Sequence, residues 1–176
     1  METLQAIYTR RSVRLFDARP VEEDKVHELL KAAMSGPCCV NAREWEFIVV
    51  TDKEKLCSMA DANGRPAQLL KKAPLVILVC ANLNEAFRPA PEYYAIDCAI
   101  AAQNICLAAH DLGLGACWLG TWPQMQRVSA QAALFNLPDH ILPQSVIAIG
   151  YPASPLPTDE RDLYDPSKAH FGGWES

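Results

Sequence analysis

The stretch of residues 97–120, DCAIAAQNICLAAHDLGLGACWLG, constrains the fold more than any other part of this chain. Its first half is apolar on nearly every side, and after Asp97 the polar residues before Leu112 are Gln103, Asn104, His110 and Asp111. A helix without a broad polar face is typical of a protein core. The apolar run is interrupted, and it is shorter than the roughly 18 unbroken residues of a membrane span. The sequence therefore predicts a central helix buried in a globular fold.

Glycines end this helix and frame the segment that follows it. Gly113 suits the left-handed conformation in which many helices end. Beyond Gly115, residues 116–119 predict a short buried strand, which Gly120 closes. A glycine at the end of a strand serves either a tight turn or the close approach of a ligand to the backbone, and the sequence leaves both interpretations open.

Size, charge and cysteine content narrow the class of protein. A chain of 176 residues suits one domain, residues 1–176. A net charge of −5 at pH 7 argues against nucleic acid as a partner, since nucleic-acid binding normally shows a basic surface. The seven cysteines form no CxxC pair, which favours small buried thiols in a reducing compartment. Because the first residues, METLQAIYTRR, contain no long apolar run, we expect a cytoplasmic protein that does not bind membranes.

The most informative polar segment is RRSVRLF, residues 10–16. In an extended chain alternate side chains share a face, so Arg10, Ser12 and Arg14 point one way and Val13 points the other. Two guanidinium groups and a hydroxyl suit a phosphate monoester, because arginine donates in a planar fork and stays charged. A solvated basic turn is the alternative interpretation.

A second segment, PCCVNAREW at residues 37–45, predicts a loop of small and amide side chains that leads into a strand. Small residues leave room for a flat ring, and the amide of Asn41 offers hydrogen bonds to the edge of such a ring. A plain connecting loop is the alternative. The adjacent cysteines lack the spacing of metal ligands.

The rest of the chain alternates strand and helix patterns and ends in an unusual arm. Apolar runs predict strands at residues 46–51, 74–81 and 144–150, and helical periodicity predicts helices at residues 1–9, 20–35 and 124–136 and a helix with a loop within 52–63. From about residue 152 the chain is rich in proline, yet it carries Tyr164, Phe171 and Trp174. We expect this arm to dock on its own core or on another subunit. Arg161 or Lys168 could bring positive charge to the segment that begins at Arg10.

Several common catalytic and binding motifs are absent from the sequence. Gly113-x-Gly115 follows a helix and lacks the third glycine of a dinucleotide fingerprint, and no phosphate-loop lysine accompanies Gly120. There is no GxSxG or HExxH motif, and the four histidines are scattered. We therefore assign no catalytic side chain and no metal site, and we expect a cofactor to carry the chemistry.

Taken with these motifs, the chain resembles the nitroreductase family of flavin-dependent oxidoreductases. The likeness runs nearly end to end: RRSVRLF, SGPCCVNAREWEF, DCAIAAQNICLAAHDLGLGACWLG, and LPQSVIAIGYPA with the aromatic arm after it. The resemblance implies an α+β sandwich with a mainly antiparallel central sheet flanked by helices. It also implies an interlocked homodimer with two FMN sites at the interface.

The resemblance further implies which residues bind FMN. The first motif corresponds to a phosphate site, the second lies along the flavin, and the end of residues 97–120 lies near the flavin ring. Arg161 stands where many relatives place a further basic residue. The implied cofactor-binding set is Arg10, Arg11, Ser12, Arg14, Pro37, Cys38, Cys39, Asn41, Leu119, Gly120 and Arg161.

The chain departs from the family pattern at three points. Cys38 stands where serine is usual, and Arg43-Glu44 stands where glutamine-proline is usual. An asparagine that some relatives use on the pyrimidine edge of the flavin is missing near Pro66. Because a thiol is a weaker donor than a hydroxyl, the first change is expected to alter flavin affinity or potential.

The activity that the resemblance implies is a ping-pong reaction. NADH or NADPH delivers hydride to FMN and leaves, and a nitroaromatic, a quinone or a similar small-molecule acceptor then takes the electrons. The family also includes dehalogenases, dehydrogenases and a flavin-fragmenting branch. Two alternatives from other classes are a flavin-binding or storage protein with little turnover, and an anion-binding module without flavin.

Overall fold

The computed structural model describes residues 1–174 and folds them into four β-strands and five α-helices. The strands are β1 (Trp45–Val50), β2 (Leu75–Asn82), β3 (Gly115–Gly120) and β4 (Ile141–Gly150). The helices are α1 (Thr3–Thr9), α2 (Glu23–Ala33), α3 (Lys53–Asn63), α4 (Tyr94–Asp111) and α5 (Met125–Leu134). Each strand and helix falls within or beside a segment whose pattern predicts it.

The four strands form one sheet in the order β1-β2-β4-β3, and every neighbouring pair is antiparallel. This arrangement confirms the predicted α+β fold with an antiparallel central sheet. β2 and β4 lie in the middle, whereas β1 and β3 form the two edges.

Helices cover both faces of the sheet. Leu75, Ile77 and Val79 of β2 pack with α2 and α4, whereas Val76 and Leu78 pack with α3 and the 3-10 turn Arg65–Lys72. Successive side chains of a strand point to opposite faces, so an apolar layer is needed on each side. The uninterrupted apolar sequence of β2 follows from this double coverage.

The central helix α4 is buried on one side only. Residues such as Ala101 and Ile105 are fully buried against the sheet. On the opposite side Ile96 is 54% exposed, and Ile100 lines an open groove together with Trp118. The prediction of a helix buried on every side is therefore wrong within a single chain. The apolar groove, of about 680 Å³, is the surface that the apolar sequence of α4 leaves uncovered.

The turn after α4 and the strand that follows match their predictions in part. Gly113 has the expected left-handed conformation, with a φ of 73°. Cys117 is buried on β3, but Trp118 is 37% exposed, so the prediction of a buried strand is wrong for that residue. The reason is that β3 is an edge strand, and its outer face meets the open groove.

The arm after β4 returns over α1 and the segment that follows it. Arg11 forms an ion pair with Asp159 at 3.0 Å, and the backbone N–H of Arg161 donates to the carbonyl of Tyr8 at 3.3 Å. Farther along, Phe171 is 91% exposed. The first part of the arm therefore docks on its own chain, whereas the aromatic end does not. Within residues 1–174, none of the helices has both the length and the apolar character of a membrane span.

Candidate functional site

The outer edge of β3 carries backbone groups that the sheet does not use. On one side the N–H of Thr121 donates to the carbonyl of Gln144 in β4, at 3.2 Å. On the other side the N–H of Val13 donates to the carbonyl of Ala116 at 2.9 Å. The backbone groups of successive residues in an antiparallel strand point to opposite edges of the strand. Trp118 and Gly120 therefore direct their N–H groups to the outer edge, where the carbonyl of Ala116 accepts from Val13. Leu119, the other predicted ring-side residue, directs its N–H towards β4.

The predicted phosphate-binding segment lies along the start of this edge. Ser12 forms an isolated parallel bridge with Ala116, which places RRSVRLF beside β3. Val13 is 5% exposed and points into the core, whereas Ser12 and Arg14 are exposed. The alternation predicted from the sequence is therefore present in the structure.

Arg10 and Arg14 both lie near enough to Cys117 of β3 to influence its thiol. Burial raises the pKa of the Cys117 thiol, and the positive charges of Arg14 and Arg10 both oppose that rise. Arg14 also donates to the carbonyl of Ser12 at 3.4 Å. Neither arginine takes part in an ion pair within residues 1–174. Two guanidinium groups without a carboxylate partner remain available to an anionic ligand.

The other two predicted arginines serve the arm. The guanidinium of Arg11 bonds both the side chain and the carbonyl of Asp159, at 3.0 and 3.1 Å. Arg161 is half-buried beside Tyr8, and its Nε has no hydrogen-bond partner among the described residues. The guanidinium of Arg161 therefore lies beside α1, whereas the charge of Arg11 is neutralised by Asp159.

The end of β3 is held from two other elements. Asn63 Nδ2 and Arg127 Nη1 donate to the carbonyl of Gly120, at 3.2 and 3.1 Å. Thr121 Oγ1 donates to Asn63 Oδ1 at 2.9 Å, so the amide is fixed at both ends. These contacts set the orientation of the peptide that follows Gly120.

Sequence reasoning treats residues 63–66 as a turn and misses this role of Asn63. The signal was present, because Leu56, Met59, Ala60 and Asn63 share the buried face of α3. An amide that continues an apolar face at helical spacing must find a partner inside the protein.

The predicted flavin loop lies on the first turn of α4. Cys38 is extended, and Val40 and Asn41 have left-handed φ values of 45° and 59°. The N–H of Cys39 donates to Asp97 Oδ2 at 2.8 Å. Pro37 and Asn41 are exposed, so the outer surface of the loop is available to a ligand.

Cys39 of this loop is a weak nucleophile. Burial raises the pKa of the Cys39 thiol, and the nearby carboxylates of Asp97 and Glu44 raise it further. A thiol that stays protonated reacts slowly. All seven cysteines lie within the described residues and are free thiols. Residues 1–174 also contain no cluster of three or more potential metal ligands.

One chain does not bring the two halves of the predicted site together. The loop at Cys38 and Asn41 enters β1, whereas Arg10, Ser12 and Arg14 flank β3. β1 and β3 are opposite edges of the sheet, separated by three strand spacings or about 14 Å. No hydrogen bond or ion pair in the described part of the chain joins these two groups.

Comparisons with known proteins identify the family of the chain. The model of the nitroreductase family matches residues 7–68 and 57–151. A Methanothermobacter thermautotrophicus protein, named for a proposed NADH dehydrogenase or NAD(P)H nitroreductase activity, is 44% identical over 174 residues, which cover 99% of this chain and 88% of that protein.

Solved structures show the same likeness. A Parabacteroides distasonis protein named for the same two proposed activities has a TM-score of 0.90 and 37% identity, with 98% of both chains covered. An FMN-dependent nitroreductase from Clostridium difficile has a TM-score of 0.88 and 31% identity, with 97% of this chain and 99% of that chain covered.

The antiparallel α+β sheet and these relatives define the protein as an oxidoreductase. Within that class, the chain belongs to the nitroreductase family.

Proposed function

We propose that this protein binds FMN along the outer edge of β3 and uses NADH or NADPH to reduce nitroaromatic compounds, quinones or similar acceptors. FMN held at this edge would supply the redox chemistry of a ping-pong cycle, namely hydride acceptance from the nicotinamide and electron transfer to the acceptor. One observation carries the proposal: unpaired arginines lie at one end of this edge, and an outward N–H of Gly120 lies at the other. Ala116 and Gly120 are separated by four residues, or about 13 Å. This spacing suits a ligand with a phosphate at one end and a ring at the other.

The chain's own residues divide the work of binding. Arg10, Ser12 and Arg14 would hold the phosphate through charge-assisted hydrogen bonds, which are stronger than neutral ones. The N–H of Gly120 would stabilise negative charge that develops on the reduced ring. Asn63 and Arg127 keep the end of β3 in place by bonding the carbonyl of Gly120.

The loop at Cys38, Cys39 and Asn41 completes the proposed site from a second copy of the chain. The separation of the two half-sites by the width of the sheet supports this arrangement. The apolar groove along α4, lined by Ile96, Ile100 and Trp118, offers a surface that a second copy can cover. We therefore propose a homodimer in which each flavin lies between the two chains.

An absorption spectrum of the purified protein tests the proposal. We expect a bound flavin that NADH or NADPH bleaches within seconds and that a quinone or nitroaromatic acceptor restores. A yellow protein that neither nicotinamide bleaches would instead be a flavin-binding or storage protein. A colourless protein that does not bind added FMN would contradict the proposal and favour an anion-binding module.

A further inference from the structure

A carboxyl group lies buried beneath the proposed flavin loop without a hydrogen-bond partner. Glu44 is 1% exposed, and neither of its carboxylate oxygens has a partner among the described residues. Its backbone is well anchored, since its carbonyl accepts from the N–H of Asn82 at 2.6 Å. The side chain is therefore held inside the protein by the strand that it precedes. Glu44 also stands where the family motif usually has proline.

A second buried carboxyl group lies beside the first. Asp97 is 3% exposed, and its Oδ2 accepts from the N–H of Cys39. The carboxyl of Glu44 contacts the carboxyl of Asp97 closely enough to form a hydrogen bond if one of the two is protonated. Neither carboxyl takes part in an ion pair within residues 1–174.

Two ionised carboxylates are unstable in this position. They repel each other across a short distance in a medium that screens charge poorly. Burial is the main cause that raises the pKa of Glu44, and the adjacent Asp97 raises it further, while the backbone N–H of Glu44 opposes the rise. One proton shared by the pair removes the repulsion and gives both carboxyl groups a hydrogen bond.

We propose that Glu44 and Asp97 share one proton and that this protonated pair positions the Cys38–Asn41 loop for flavin binding. The proton lets the oxygens of Asp97 serve two partners, Glu44 on one side and the N–H of Cys39 on the other. Loss of the proton makes the pair repulsive and weakens the support of the loop. The role of Glu44 is thus a positioning role, and its link to flavin rests on the proposed function.

Within the described residues, no positively charged group contributes to the pKa of Glu44. The loop contributes the thiols of Cys38 and Cys39, α4 contributes Cys98, and β2 contributes Cys80. Burial raises the pKa of Cys80 to about 12, so that thiol is neutral at physiological pH. Glu46, two residues along β1, is exposed and adds negative charge. None of these groups neutralises the negative charge of two ionised carboxylates.

The direction of the pH effect follows from the raised pKa of Glu44. A carboxyl group whose pKa is higher in the folded than in the unfolded protein stabilises the folded state. This stabilisation is fully present at pH values below the ordinary carboxyl pKa. That contribution is lost as the pH rises through the raised value. Flavin affinity is expected to fall over the same range, by up to about tenfold per pH unit because one proton is involved.

Infrared spectroscopy of the protein without flavin tests the shared proton directly. We expect the wild-type protein to keep a protonated-carboxyl C=O band above the pH range in which ordinary carboxyl groups ionise and to lose it when the pH is raised further. The band should be absent from Glu44→Gln, in which the amide N–H replaces the shared proton. Glu46→Gln removes the same charge from an exposed neighbour and should keep the band. A wild-type protein without the band, or a Glu44→Gln protein that retains it, would overturn the shared proton.

Titration of the apoprotein with FMN across the same pH range tests the link to the loop. Wild type and Glu46→Gln should lose affinity together as the infrared band disappears, whereas Glu44→Gln should show a flatter profile. If the Glu44→Gln profile follows wild type, the pair does not position the loop. If no variant binds FMN at any pH, the proposed function fails, and the infrared result still decides whether the proton is shared.

Discussion

Among single residues, the presence or absence of a charged partner decides which arginines are available to a ligand. Arg11 pairs with Asp159, and Arg19 pairs with Glu22. Arg10 and Arg14 have no such partner within residues 1–174. A desolvated anion between them would gain two charge-assisted contacts without breaking an existing ion pair.

Replacing either free arginine should weaken the binding of phosphate but not of the flavin ring. Each charge-assisted contact contributes roughly 1.5–3 kcal/mol, so Arg10→Ala or Arg14→Ala should lower FMN affinity about tenfold to a hundredfold. Riboflavin, which lacks the phosphate, should bind either variant nearly as well as wild type. The measurement is a titration of apoprotein with both ligands at fixed ionic strength, since salt screens exposed charges.

Arg43→Ala is the matched control for this titration. Arg43 is exposed, and its Nε donates to Asn41 Oδ1 at 3.0 Å, away from the Arg10 segment. Its replacement should not produce a loss that is specific to FMN. Equal losses for FMN and riboflavin in the Arg10 and Arg14 variants would show that these arginines support the fold rather than bind phosphate.

A glycine on β3 controls how closely the proposed phosphate-binding segment, residues 10–16, approaches the sheet. A Cβ atom on Gly115 would lie 2.6 Å from the Cβ of Val13, which a native packing arrangement does not allow. Gly115→Ala should therefore destabilise the protein by about 1–3 kcal/mol and displace Ser12 from β3. Urea unfolding and FMN titration measure the two effects.

A second substitution separates this clash from other effects of alanine. In Gly115→Ala/Val13→Ala the smaller side chain at residue 13 makes room, so the double variant should be more stable than the sum of the single changes predicts. Gly173→Ala, where nothing lies within 4 Å, should leave stability unchanged. Additive effects in the double variant would mean that Val13 is not the obstacle.

Some residue roles follow from sequence, and others require the packed structure. The alternation of Arg10, Ser12 and Arg14 about Val13 is local, because an extended chain imposes it. The pairing of Arg11 with Asp159 joins residues that are 148 positions apart, and no local pattern specifies it. The contact of Asn63 with Gly120 is equally remote in sequence, although the place of Asn63 on the apolar face of α3 indicates a buried amide.

At the scale of secondary-structure elements, apolar periodicity shows that a surface is covered but not which molecule covers it. The two sides of α4 are both apolar in sequence, yet one side packs on the sheet and the other lines an open groove. Apolar burial has the same signature in a core and in an interface. The sequence therefore predicts the strands and helices well, but it cannot distinguish the inner face of α4 from the outer face.

The link between α2 and the end of β4 should make the protein sensitive to acid. The O–H of Tyr151 donates to Glu22 at 2.7 Å, and Lys25 donates to the Tyr151 oxygen at 2.8 Å. The hydrogen bond from Tyr151 is the main cause that lowers the pKa of Glu22 to about 2. A carboxyl group whose pKa is lowered in the folded protein stabilises it at pH values above the ordinary carboxyl pKa of about 4.3. This stabilisation is lost as the pH falls towards 2, the lowered pKa of Glu22.

Urea unfolding at near-neutral and acidic pH measures this contribution. Glu22→Gln should lower stability at neutral pH and reduce the difference between the two conditions. Glu23→Gln is the control, because its side chain is 92% exposed and touches only His27. If Glu22→Gln retains the full acid sensitivity of the wild type, the bond to Tyr151 is not a source of it.

At the scale of the whole molecule, four features of residues 1–174 are left without a partner within that part of the chain. The Arg10 segment and the Cys38 loop lie at opposite edges of the sheet, the groove along α4 is open, and the aromatic end of the arm is exposed. Large exposed apolar patches mark interaction surfaces. Association of two copies would cover the groove and the arm and would place each loop along the outer edge of β3 in the other chain.

Mixed dimers of two defective variants would reveal a site shared between chains. Arg14→Ala damages the phosphate half, and Asn41→Asp damages the loop half while keeping a residue type that tolerates the left-handed conformation found there. In a mixed dimer one site would receive both defects, and the other would receive an intact Arg14 and an intact Asn41. We expect each pure variant to bind FMN weakly and the mixed dimer, purified through two different affinity tags, to bind one FMN per dimer with wild-type affinity. If each site lay within one chain, every site in the mixed dimer would carry one defect and no tight binding would return. Failure of the two tagged chains to purify together would contradict the dimer itself.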